Sequence, residues 1–145
     1  MRRRLAALLG AAVLVLPAMA GDYTLGNLTI SHPWSRATAP GMPMGVAYLA
    51  ITNRGKAADA LVAASTPAAA QVEIHQTTLS DGMARMRPVQ EVVIAPGSTV
   101  KIEPGGIHLM LVGLKQPLSP LDTVPLTLRF RDAGEITIQL SIESP

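Results

Sequence analysis

The chain has 145 residues, 48% of them hydrophobic, with 12 Lys and Arg against 10 Asp and Glu and no Cys. This length and composition suit a single domain with a buried core. The lack of cysteine excludes disulfides, thiolate nucleophiles and Cys-held zinc or iron–sulfur sites, and four aromatic residues are too few for a platform that stacks single-stranded nucleic acid.

Residues 1–20 have the pattern of a cleaved signal peptide. Three arginines at positions 2–4 precede an apolar run of 12 residues, and Ala18 and Ala20 flank Met19 as a cleavage site. The run is too short to span a bilayer of ~30 Å as a helix, so we expect no membrane insertion. Cleavage would leave residues 21–145 as one domain with 9 basic and 10 acidic residues. That balance gives no electrostatic reason to expect nucleic-acid binding.

Short β-branched runs follow, separated by Pro and Gly. Several of them alternate apolar and polar residues, most clearly from Val124 to Phe130. Short strands at this spacing predict an all-β antiparallel sandwich or barrel. The runs cover residues 28–30, 46–52, 72–75, 91–94, 98–102, 108–112, 124–130 and 135–142.

Residues 56–64 are ambiguous. Their alanines favour a helix, but the segment is shorter than the ~12 residues that a stable isolated helix needs. We interpret it as an irregular strand. Trp34 and Tyr48 are expected in the core.

His108 and Met110 are the first candidate ligand pair. They are two residues apart in a predicted strand, so they share a face, while Ile107, Leu109 and Leu111 would fill the core. The alternative is a half-exposed His beside a half-exposed Met, with no metal.

His75 and Met86 form a second pair if Asp81-Gly82 makes a two-residue hairpin turn. Thr77 would then lie opposite Met86, and His75 would be the diagonal neighbour of Met86, roughly 7 Å away on the same face. A turn one residue longer or shorter would separate them. The alternative for Met86 is a partly buried filler of the core.

Two imidazoles and two thioethers suit Cu(I), which favours sulfur, and are poor ligands for Mg²⁺ or Ca²⁺. A blue-copper electron-transfer site is excluded because it needs a Cys thiolate. The Asp and Glu residues show no spacing that indicates acid–base catalysis, so we predict that the protein is not an enzyme and has no catalytic residues.

The spacing of these four residues, H-x10-M-x21-H-x-M, resembles the signature of periplasmic PCuAC-type copper(I) chaperones. The resemblance covers nearly all of residues 21–143. Its flanking matches are residues 33–38, 47–53, 72–75, 86–89 and 104–114.

The resemblance implies a cupredoxin-like Greek-key β-sandwich that binds one Cu(I) per chain through His75, Met86, His108 and Met110. It further implies a periplasmic metallochaperone. Such a protein passes copper towards the dinuclear centre of cytochrome c oxidase subunit II, alongside a Sco-type thiol protein. We expect a monomer, although a copper ion shared through an exposed site would bridge two chains.

The sequence departs from the family pattern in two ways. Many members have another Met close after the first His, whereas Gln76 and Thr77 follow His75 here. Some members carry a Met- and His-rich C-terminal extension, which this sequence lacks, so we predict a single site.

Other residues fall outside the motif. His32 is expected in a structural or surface role. Met42 and Met44 could contact copper transiently, although loop packing is the favoured interpretation. The rival function is a secreted β-sandwich interaction or adhesion module with no metal role. A hydrolase is disfavoured because no nucleophile–base pattern is present.

Overall fold

The computed structural model describes residues 21–144, so the predicted signal peptide lies outside the described residues. Those residues form eleven strands and contain no helix long and apolar enough to cross a membrane. The strands are β1 (Tyr23–Leu25), β2 (Leu28–Arg36), β3 (Met44–Asn53), β4 (Asp59–Ser65), β5 (Ala69–Ser80), β6 (Met83–Pro88), β7 (Val92–Ile94), β8 (Thr99–Ile102), β9 (Ile107–Leu114), β10 (Thr123–Phe130) and β11 (Gly134–Glu143).

The strands join one continuous sheet that folds over on itself as a sandwich. Its order is β6-β5-β9-β3-β2-β11-β10-β4-β7, with β1 paired to β2 and β8 paired to β3. The pairs are antiparallel except that of β11 with β2. Leu49 and Leu109 from one half share a core with Leu126 and Leu140 from the other. The predicted all-β Greek-key sandwich is confirmed.

Strand β9 shows how alternation separates the core from the opposite face. Leu109 and Leu111 are fully buried in the core. His108 and Met110 alternate with them in sequence and therefore point to the other side of the sheet. Ile107 is half-buried and packs at the edge of the core. The predicted face assignment of this strand is confirmed.

The ambiguous segment 56–64 is a strand only from Asp59 onward. The buried carboxylate of Asp59 accepts hydrogen bonds from the backbone N–H groups of Ala60, Asp132 and Ala133 at 2.7–3.0 Å. These bonds tie the start of β4 to the turn after β10. Tertiary pairing therefore overrides the helix propensity of the alanines.

Tyr48 is buried, as expected, whereas Trp34 is only half-buried, and neither belongs to the main core cluster. They form a cross-strand pair between β2 and β3, with ring centroids 4.8 Å apart. Tyr48 alternates with the core residues Ala47 and Leu49, so it lies on the face that also carries His108 and Met110. Burial raises the pKa of the Tyr48 phenol, and the Arg36 guanidinium opposes that rise.

Candidate metal centre

Three neighbouring strands bring the four predicted ligands to one face of the sheet. His75 of β5 lies directly opposite His108 of β9, and Glu73 lies opposite Met110. On the other side of β5, Thr77 lies opposite Met86 of β6. Since residues two apart on a strand share a face, all four predicted ligands lie on the face away from the core.

The β5–β6 hairpin sets the position of Met86. Asp81 and Gly82 both have positive φ angles, 52° and 75°, as a two-residue type I′ turn requires. The resulting register pairs Thr77 with Met86, which is the pairing predicted from the Asp-Gly sequence. His75 is therefore the diagonal neighbour of Met86 on one side and of Met110 on the other.

The His75 imidazole is held by a carboxylate on its own strand. Nε2 of His75 lies 2.7 Å from Oε2 of Glu73. A carboxylate accepts hydrogen bonds, so Nε2 carries the proton in the neutral ring and Nδ1 presents its lone pair. Gln71 donates to the other Glu73 oxygen at 2.8 Å and so helps to orient that carboxylate.

The His108 imidazole is held by the backbone. Its Nδ1 lies 3.1 Å from the carbonyl oxygen of Gly106, which can only accept, so Nδ1 carries the proton and Nε2 presents its lone pair. The same carbonyl accepts the backbone N–H of Thr77 at 3.1 Å. This shared acceptor ties the His108 ring to the β5–β9 ladder.

The two remaining ring nitrogens have no hydrogen-bond partner. Within residues 21–144, the buried side-chain nitrogen and oxygen atoms that lack a hydrogen-bond partner are His75 Nδ1 and His108 Nε2. The two rings are neighbours, with centroids 5.7 Å apart and planes inclined at 58°. An unsatisfied buried polar atom normally costs about 1–3 kcal/mol, and metal-binding histidines typically donate their other N–H to a carboxylate or carbonyl. The pair therefore fits a metal ion such as copper.

The two methionines differ in how firmly they are held. Met110 is half-buried between β5 and β3. Met86 is 61% exposed on β6, the outermost strand of the sheet, which pairs only with β5. The interpretation of Met86 as a core filler is therefore wrong. Of the four side chains, Met86 is the one most open to an approaching partner.

The described residues contain no further cluster of His, Asp or Glu that would add ligands to these four side chains. Within residues 21–144, no three His, Asp or Glu side chains are grouped as a metal site. His32 has a 74% exposed side chain and lies 3.7 Å from Glu143, which agrees with its expected surface role.

Glu73 and Gly106 were not identified from the sequence. Glu73 precedes His75 by two residues, so the two-residue period of the strand could have shown that they share a face. Gly106 acts through its backbone carbonyl, and no side-chain pattern signals that contact.

The chain matches known proteins along most of its length. The model of the LpqE-like family matches residues 28–142. A relative in Leifsonia xyli subsp. xyli (strain CTCB07), named "Putative lipoprotein Lxx21020", is 30% identical over 118 residues, which cover 81% of this chain and 70% of that protein.

Solved structures also match the chain along most of its length. The copper-bound PCuAC domain from PmoF2 has a TM-score of 0.74 and 28% identity, covering 86% of this chain and 99% of that domain. The apo PCuAC domain from PmoF1 has a TM-score of 0.75 and 30% identity, covering 86% and 100%. The solution structure of CuI-DR1885 from Deinococcus radiodurans has a TM-score of 0.65 and 31% identity, covering 86% and 81%. The chain therefore belongs to the LpqE-like family and has the fold of PCuAC domains.

Proposed function

We propose that this protein is a Cu(I) carrier that holds one ion through His75, Met86, His108 and Met110. The observation that supports the proposal most strongly is that His75 Nδ1 and His108 Nε2 are both buried and free of hydrogen bonds, on rings whose centroids lie 5.7 Å apart. Because both rings are oriented through their other nitrogen, little rearrangement is needed before they bind an ion.

The donor types favour the cuprous ion. Thioether sulfur is a soft ligand suited to Cu(I), and imidazole binds copper well. Thioethers have no proton to lose, so only the two imidazoles make binding depend on pH. Copper-bound and CuI forms of the PmoF2 and DR1885 proteins support copper as the ion.

The proposed role is transport of the ion and not catalysis. Met86 lies on the exposed edge strand, so a recipient could replace this ligand first while the ring nitrogens still hold the ion. A neutral set of ligands also binds Cu(I) less tightly than a pair of thiolates would, which favours release. The motif supplies two imidazoles and two sulfurs but no nucleophile and no acid–base pair.

The proposed recipient and the proposed compartment are both based on the family resemblance. We propose export to the periplasm, supported by the leader pattern of residues 1–20 and by the lipoprotein name of the relative. We further propose that the monomeric protein delivers copper towards the dinuclear centre of a cytochrome c oxidase subunit, with a Sco-type thiol protein as a second partner.

Anaerobic titration of the purified protein with Cu(I) against a competing chelator tests this function. We expect one equivalent to bind tightly. When free Cu(I) reaches about 100 times Kd, a ligand that binds only the folded state adds about 2.7 kcal/mol to the free energy of unfolding. For a domain of this size, this corresponds to a rise of roughly 10 °C in melting temperature.

The rival function predicts a different outcome. A β-sandwich interaction module whose His and Met residues have no metal role would show neither one-equivalent uptake nor a shift in melting temperature with Cu(I). That result would overturn the carrier proposal.

A further inference from the structure

A second group of methionines lies beside the proposed copper site. Met42, Met44 and Met110 line one cavity of about 270 Å³ at the start of β3. Met110 is also one of the four proposed ligands. The cavity and the His75–His108 pair therefore lie on either side of a shared thioether.

The strand register explains why these thioethers meet. Met44 lies opposite Val112 and Val46 lies opposite Met110, so Met44 and Met110 are diagonal neighbours on one face. Met42 is two residues before Met44, in a turn where its N–H donates to the Ala39 carbonyl at 3.3 Å. This turn places Met42 at the cavity that Met44 and Met110 also line.

The exposure of Met42 and Met44 argues against the interpretation that these side chains only pack the loop. Met42 is 50% exposed and Met44 is 46% exposed, so neither thioether is enclosed as a filler of the core would be. The three thioethers that line this cavity provide soft sulfur ligands without a charge or a titrating proton.

Arg36 also lines the cavity and makes it a weaker site than the His75–His108 pair. Its guanidinium is always charged and repels a cation. The arrangement therefore suits an ion that stays briefly.

We propose that Met42, Met44 and Met110 form a second, weaker site for a soft monovalent cation, through which Cu(I) passes to or from the four-ligand site. This inference rests on the proposed carrier function for its physiological ion. Met110 belongs to both sites. The ion can therefore stay bound to the Met110 sulfur while its other ligands are exchanged.

Methionine methyl NMR with Ag(I), a soft ion that does not change oxidation state, tests the second site. In a His75→Ala/His108→Ala variant, the four-ligand site is lost and Met110 is free to serve the cavity. We expect Ag(I) to shift the methyl signals of Met42, Met44 and Met110. The signal of Met83, a 61% exposed methionine on the hairpin, is the control. Equal shifts at Met42, Met44 and Met83 would overturn the second site.

The transfer role has its own test. A Met42→Leu/Met44→Leu variant keeps the apolar volume but removes both sulfurs. We expect unchanged Cu(I) affinity at equilibrium and transfer to a chelator slowed by about tenfold, which corresponds to about 1.4 kcal/mol in the barrier. Transfer as fast as in a Met83→Leu control would contradict the role.

The two proposals fail in different ways. If the unmodified protein takes up one Cu(I) but Met42 and Met44 do not respond to Ag(I), the second site is wrong and the carrier function stands. If the unmodified protein takes up no Cu(I), the carrier function is wrong, whatever the Met42 and Met44 signals show.

Discussion

Replacement of His108 by alanine is expected to abolish tight Cu(I) binding while the protein stays folded. The change removes one of two neighbouring imidazole rings and leaves His75 with no nitrogen partner across the ladder. Loss of a residue that only orients a ligand typically lowers metal affinity about 10–100-fold, so loss of the ligand itself should exceed that range. Chelator competition measures the affinity, and circular dichroism confirms the fold.

His32→Ala is the matched control, because His32 is exposed and lies on β2, a strand that carries none of the proposed ligands. It should leave the Cu(I) affinity unchanged. Met86→Ala should weaken binding in the same direction as His108→Ala, and circular dichroism should again show a folded protein. Equal affinities for the His32, Met86 and His108 variants would reject the ligand assignment.

Leu109→Ala should have the opposite pattern, with a large loss of stability and no loss of the copper site. Leu109 is fully buried and lies between the core residues Ile74 and Ala47 of the adjacent strands. Truncation of a buried Leu removes transfer free energy and leaves a cavity, a combined loss of about 2–5 kcal/mol. Denaturant unfolding measures this loss, and Cu(I) titration under folding conditions should still give one equivalent.

Val93→Ala is the control for this stability measurement. Val93 is 53% exposed on β7, and exposed substitutions usually change the free energy of unfolding by less than about 0.5 kcal/mol. If Leu109→Ala were no more destabilising than Val93→Ala, the assignment of Leu109 to the core would be wrong. Since His108 and Leu109 are neighbours in sequence, the two variants together test whether β9 separates copper binding from core packing.

Short-range regularities explain what could be predicted from the sequence. The two-residue period of a strand assigned His108 and Met110 to one face and Leu109 and Leu111 to the other. The Asp81-Gly82 pair fixed a turn of known length and therefore the position of Met86. Both inferences depend on backbone geometry within a few residues, which propensity and sequence pattern report well.

Such local patterns could not predict the pairing of distant strands or the hydrogen bonds of the His75 and His108 rings. The direct pairing of His75 with His108 depends on the β5–β9 register, which no local turn determines. The choice of ring nitrogen depends on Glu73 and on a backbone carbonyl at Gly106. The family resemblance named the ligands but gave no information on which nitrogen of each imidazole is free.

Trp34 and Tyr48 show the limit of arguments from hydrophobicity. Large aromatic side chains are usually buried, so a core position was expected. Tyr48 is buried as expected, but it packs against the half-buried Trp34 on the face opposite Leu49 and Leu109. Burial alone therefore does not identify which face of a folded-over sheet a side chain occupies.

Long-range ¹H–¹⁵N NMR of the imidazole rings, recorded with and without Cu(I), tests the central claim most directly. The structure predicts that Cu(I) changes the ¹⁵N resonances of His75 Nδ1 and His108 Nε2. It also predicts that His75 Nε2 and His108 Nδ1 keep their protons, because Glu73 and Gly106 accept them. Coordination through the opposite nitrogens, or an equal response at His32, would contradict the account.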